Sequence, residues 1–140
     1  HFLTVEILLY EGKIKVYDCN LPVFSEKMFL THMQPLLKLL PKLLTQSKLM
    51  DHLPAEVLAK ESWDFEGRNK NIQLPKNTTG AACGPYSLAY IECLLTGTQM
   101  TGVCDTIVGK MQWVWAYGVL TKWLEPVYKK EHVQRQRRTR

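Results

Sequence analysis

Apolar positions cluster in two short runs at the start of the chain. Residues 2–9 are rich in β-branched and apolar side chains and residues 14–17 repeat the pattern, with Tyr10-Glu11-Gly12-Lys13 between them. Gly12 supplies the positive φ that a tight connection wants, so this stretch predicts a β-hairpin. The period then changes. Residues 24–44 are helical in character, with Ser25 as N-cap and Glu26 in the first turn, where a negative charge is favoured. Leu36, Leu39, Leu40, Leu43 and Leu44 recur at three- and four-residue spacing and predict a buried stripe. Pro35 and Pro41 are expected to split or kink this region.

Beyond it the pattern shortens. A short helix is predicted around 55–60, a strand at 61–65, a loop around Gly67, a second short strand at 72–74, and a loop over 75–82. A helix is predicted from Gly84, with Pro85 in its first turn, Leu88, Ile91, Leu94 and Leu95 on one face, and Gly97 as its stop. A last helix is predicted over 103–124, with Cys104, Ile107, Val108, Met111, Trp115 and Val119 on one side and Pro126 ending it. Hairpin, helices, strands, helix, helix is an α+β order.

At 140 residues the chain is one domain's worth, and its 46% apolar and 22% charged residues are those of a globular protein. No apolar run approaches the roughly 18 residues of a membrane span. The 36–44 stretch is broken by Lys38, Pro41 and Lys42 and reads as a half-buried helix. The net charge of +5 resides entirely in residues 129–140, where six basic residues face Glu131 alone. Residues 1–128 are therefore neutral overall and hold no excess charge for a phosphate backbone. The tail reads first as a solvated terminus, with a nuclear-import or nucleic-acid patch as the sharper alternative. Cys19, Cys83, Cys93 and Cys104 form no C-x-x-C pair and, with His32 and His52, no metal-ligand spacing. No metal and no organic cofactor is expected, and the thiols are read as reduced. The four tryptophans (63, 113, 115 and 123) read as core or interface residues.

Cys83 stands out for chemistry. A glycine-bearing loop meets a predicted helix there, and a helix N-terminus favours the thiolate and offers N–H groups to an oxyanion. A small buried apolar residue is the plainer reading of the same cysteine. His1 and Asp18 bracket the hairpin, whose folding brings them together as a base and its orienting carboxylate. Taken singly, they are a frayed end and a turn residue.

These residues resemble the ubiquitin-like-protease family, the adenain-like, SUMO-deconjugating cysteine peptidases. His1-Phe2, an alternating strand, Gly12 and Ile14-Lys15-Val16-Tyr17-Asp18 are similar to its histidine-strand, hairpin and "VYD" signature. The separation of His1 from Asp18 matches the family's histidine–aspartate spacing. Pro75, Gly80, Cys83 and Gly84 match its nucleophile segment, and Tyr86 to Gly97 resembles plant members. The resemblance implies a Cys83, His1, Asp18 triad, an oxyanion donor at Asn77, and Phe2 and Gly84 beside the substrate. Asn77 stands where the family has glutamine, Ala82 where it has aspartate, Thr79 where it has asparagine, and Phe2 where it has tryptophan.

The resemblance further implies a papain-like arrangement, a central sheet packed by helices. Residues 1–128 would be the C-terminal portion of the catalytic domain, its N-terminal part missing, and 129–140 a basic tail. The expected activity is cleavage after the C-terminal glycine of a SUMO-like modifier, in the nucleus or alternatively the cytoplasm. No membrane partner is expected, and nucleic acid only through the tail. Two alternatives stand beside it: an inactive or transposon-derived relative that serves as a binding module, and an acetyltransferase using the same triad.

Overall fold

The computed structural model describes residues 1–23, 25–47, 52–68 and 73–124, with the backbone alone at 123 and 124. The predicted strand residue Ile72, the Trp123 side chain, Pro126 and the basic tail lie outside the described residues. The hairpin forms from β1 (Thr4–Leu8) and β2 (Lys13–Tyr17), in antiparallel register from Thr4 opposite Tyr17 to Leu8 opposite Lys13. Gly12 turns at φ 59°, where a side chain would meet Val57 and Lys60 at 3.2 Å. A third strand, β3 (Asp64–Glu66), pairs parallel to β2, so β2 is the centre of a three-stranded mixed sheet. The chain is thus α+β, as its element order predicts.

The link from β2 to β3 passes through α1 (Glu26–Gln46) and the single turn α2 (Ala55–Leu58). Ser25 caps α1 by accepting from the Met28 N–H. Contrary to expectation, neither Pro35 nor Pro41 interrupts this helix. A proline removes the N–H that would bond the carbonyl four residues earlier. At Pro41 the released carbonyl is that of Leu37, and the Trp63 N–H donates to it at 3.0 Å. The broken helical bond is replaced by a tertiary one that docks the approach to β3.

The buried stripe of α1 also differs from the predicted one. Phe29, Met33 and Pro41 are buried and Leu37, Leu40 and Leu44 pack beside them, whereas Leu36, Leu39 and Leu43 are exposed. The leucine run is apolar nearly all round, and its internal spacing alone does not choose the inward face. Phe29 and Met33, one and two turns earlier, do choose it.

The loop 75–82 leads into α3 (Cys83–Thr96), which closes at Gly97 in the left-handed conformation, φ 68°. Its inward face is Tyr86, Ala89 and Tyr90 with Cys93 and Leu94 alongside, while Leu88, Ile91 and Leu95 point outward, against expectation. Large tyrosines rather than leucines fill this side. The last helix, α4 (Asp105–Gly118), passes into a π-helical turn at Val119–Leu124. Val108, Met111 and Trp115 face inward as expected; Cys104, Ile107 and Val119 are exposed. Trp63 is core, but Trp113 is 80% exposed.

Two cores result, one on each face of β2. Ile14 and Val16 point to α1, Val57 and Trp63. Tyr17, followed by Cys19, points to α3 and α4. Side chains alternate across a strand, so a five-residue strand serves both faces.

Candidate active site

The exit of β2 carries Asp18, whose side chain is wholly buried. Its Oδ1 lies 2.8 Å from Nε2 of His1, whose ring is 4% exposed, and it also accepts the Asn20 N–H at 2.8 Å. The hairpin register explains the meeting. With Thr4 opposite Tyr17, the residues before β1 run beside the residues after β2. A buried carboxylate must be paired, because desolvation penalises an isolated charge heavily.

Asp18 has a second partner that the sequence reading did not single out. Arg68 Nη1 lies 3.3 Å from Asp18 Oδ2 and 3.3 Å from the Leu21 carbonyl, while Nη2 reaches Glu26 Oε2 at 3.2 Å. The guanidinium sits over the Phe29 ring, 4.8 Å from its centroid. Its placement follows from the parallel pairing of Lys13 with Asp64 and of Lys15 with Glu66. Continuing that register two places brings Arg68 level with Tyr17, one residue short of Asp18. The signal lies in strand pairing, which no local motif encodes.

The start of β1 is fastened to the start of α3. Thr4 Oγ1 donates to the Ser87 carbonyl at 2.8 Å, and a β-carbon on Gly84 would stand 3.7 Å from Phe2 Cδ2. Phe2 therefore lies close to Gly84, the residue after Cys83. Cys83 is the first residue of the fourteen-residue α3 and is partly exposed. The preceding Ala82 gives this helix no side-chain cap, which leaves its first-turn N–H groups without a side-chain acceptor there.

Asn77 is buried and held from three directions. Its backbone N–H donates to the Cys19 carbonyl at 3.0 Å, and its Oδ1 accepts from Thr79 Oγ1 at 2.9 Å and from the Gly80 N–H at 3.1 Å. Its Nδ2 is buried with no partner of regular hydrogen-bond geometry among the described residues, and the amide lies near enough to the Cys19 thiol to favour its charged form. An orphaned buried donor is costly, and functional sites are where such costs are kept. The Cys19 thiol is pushed up to about 11, by burial first and then by the neighbouring Asp18 and Cys83, with the Asn77 amide partly opposing. Cys19 is therefore a packed neutral thiol.

A second fastening, also missed in the sequence, secures the Asn77 loop. The Tyr86 hydroxyl donates to Asp105 Oδ1 at 2.7 Å and approaches the Lys76 carbonyl at 3.4 Å, and Thr78 Oγ1 donates to Asp105 Oδ2. The Tyr90 hydroxyl donates to the Pro75 carbonyl at 3.0 Å. The Thr78 and Tyr86 bonds, Thr78 first, hold the Asp105 carboxyl below the usual range.

A cavity of about 300 Å³ opens beside Asp18, Arg68, Gln73, Lys76 and Asn77. Among the described residues, no group of three or more His, Cys, Asp and Glu is placed to hold a metal, and no helix is long and apolar enough to cross a membrane.

No curated protein and no solved structure matches the chain. Residues 1–121, from the His1–Asp18 pair into the π-helical turn, match the family described as "Ulp1 protease family, C-terminal catalytic domain", and the chain belongs to that family of cysteine proteases acting on ubiquitin-like modifiers.

Proposed function

We propose that the chain is a thiol isopeptidase that cuts after the C-terminal glycine of a SUMO-like modifier, with Cys83, His1 and Asp18 as its triad. The observation that carries this reading is the buried 2.8 Å His1–Asp18 pair, on a hairpin whose Thr4 is bonded to Ser87 of the helix that begins with Cys83. Nε2 is the ring nitrogen engaged by Asp18, so Nδ1 is the one that serves the thiol. That division is what a cysteine–imidazole pair needs: one nitrogen to fix the ring, the other to move the proton. A papain-like arrangement, with the nucleophile on a helix and its base on the facing sheet, is the fold reading that accompanies it.

The steps follow from these roles. His1 takes the Cys83 proton, and the thiolate attacks the carbonyl carbon of the terminal glycine, forming a C–S bond. The Asn77 Nδ2–H and the N–H groups of the first turn of α3 receive the negative oxygen. His1 then gives its proton to the leaving amine as the C–N bond breaks, leaving a thioester. Water attacks the thioester with His1 as base, the modifier departs as its carboxylate, and Cys83 regains its proton. Phe2, whose Cδ2 lies 3.7 Å from where a β-carbon on Gly84 would stand, forms with Gly84 one wall beside the nucleophile.

The test is a SUMO-type modifier bearing a C-terminal electrophile. It is expected to label the wild-type chain in a one-to-one adduct and to leave Cys83→Ala unlabelled. Equal labelling of both, or of neither, removes the reading.

A further inference from the structure

We propose that Arg68 is a positioning residue for this reaction: by occupying Oδ2 of Asp18 it reserves Oδ1 for His1, and its charge sets how tightly His1 holds its proton. The inference rests on the triad reading above. A carboxylate can rotate about its last bond and present either oxygen, so one partner does not fix it. Several groups fix Asp18, among them His1 and the Asn20 N–H on Oδ1 and Arg68 on Oδ2. Arg68 is itself anchored at several points, by the Leu21 carbonyl, by Glu26 and by the Phe29 ring, and its side chain is only 6% exposed. The planar fork and the stacking surface suit arginine and not lysine.

The charge has a consequence of its own. Asp18 alone would hold an imidazolium strongly, because an opposite buried charge at hydrogen-bond distance favours the charged ring. Arg68 shares that carboxylate and so limits the gain. Among the described residues, the charged and titratable groups near the pair include Cys19 after β2, Arg68 after β3, Glu26 on α1, Lys76 in the loop before α3, which lines the same cavity as Asp18, and Cys83 on α3. Arg68 is a fixed cation bonded to the same carboxylate as His1. A base held less tightly protonated returns its proton to the leaving amine more readily.

The experiment is an NMR titration of ¹³C-labelled histidine in the full chain, with His1 assigned, paired with the pH profile of cleavage of a SUMO-type modifier carrying a C-terminal fluorogenic amide. In Arg68→Gln, the His1 midpoint and the alkaline limb of kcat/KM are expected to rise together by about one pH unit. Arg68→Lys keeps the charge without the fork: the midpoint is expected to stay, while kcat falls and KM holds. Asp18→Asn is expected to move His1 downward. A folded Arg68→Gln with an unmoved His1 overturns the proposal.

Should Arg68→Gln not fold, Glu26→Gln at an exposed position decides instead. It leaves more of Arg68 to Asp18 and is expected to lower the His1 midpoint by a few tenths of a unit, and no shift there overturns the proposal. The two readings also separate. A His1 shift without cleavage of the modifier keeps the role of Arg68 and removes the protease reading. Cleavage with an unmoved His1 does the reverse.

Discussion

At the scale of single residues, Asn77 shows how a shorter side chain is used. Its Oδ1 is committed to Thr79 and Gly80 and its backbone N–H to Cys19, which opposes rotation and leaves Nδ2 without a regular acceptor beyond the nearby Cys19 thiol. Under the proposed mechanism, a donor held in this way is preorganised for a charge that develops only during reaction. Asn77→Ala is expected to lower kcat by roughly a hundredfold to a thousandfold, with KM little changed; single-turnover cleavage of a modifier amide measures it, and an unchanged kcat would count against the donor. Cys19 makes a contrasting prediction. Its thiol, pushed up to about 11 by burial, stays neutral at pH 8, so iodoacetamide is expected to spare it while modifying exposed Cys104. The sign for stability follows: a thiol ionising later when folded than when unfolded costs nothing below about pH 8.5 and costs stability as pH climbs towards 11. The candidates Cys83, His1, Asp18 and Asn77 were legible because each sits in a local motif. Arg68 and Asp105 were not, since their partners lie fifty residues and twenty-seven residues away in the chain.

At the scale of elements, two glycines do similar turns under different constraints. Gly97 ends α3 at φ 68° with open space where a β-carbon would go. Gly12 turns the hairpin at φ 59°, with Val57 and Lys60 carbons 3.2 Å from that position. Gly97→Ala should therefore cost only the left-handed backbone penalty, roughly 1–2 kcal/mol, whereas Gly12→Ala adds displacement of α2 and its neighbour Lys60. Urea denaturation of both variants is expected to place Gly12→Ala clearly lower; equal midpoints would mean that α2 yields freely. The hairpin and the stop of α3 were readable for this reason, that glycine and alternation are local signals. Helix faces were less so. Leu88, Ile91 and Leu95 satisfy helical spacing yet point outward, because a helix apolar on most sides has no preferred face until its partners are known. The uninterrupted α1 was hidden similarly, since the acceptor freed at Pro41 is used by Trp63, twenty-two positions further on.

At the scale of the whole molecule, the two cores flank one central strand, and the candidate site lies along their seam. The α1 side supplies Arg68 and its anchors to Asp18; the α3–α4 side supplies Cys83 and, through Asp105, the fastening of the Asn77 loop. Asp105 joins three parts of the chain, since it opens α4 while accepting from Thr78 in the loop and from Tyr86 on α3. Its carboxyl is held below the ordinary aspartate range by those two hydrogen bonds, so the charged form is the one that fits the fold. A depressed folded value means that the stabilisation is complete above the unfolded value, about 3.9, and is lost as pH falls through the folded one. Asp105→Asn should therefore be less stable than wild type at pH 7, and the gap should narrow as pH falls below 4, which thermal unfolding between pH 2 and pH 7 measures. A gap independent of pH would show that the carboxylate charge is not what the loop and α3 are fastened to. On the proposed mechanism cleavage should weaken alongside, at pH 7 and without loss of the His1–Asp18 pair, because Thr78 fastens the loop that carries its neighbour Asn77, the proposed oxyanion donor.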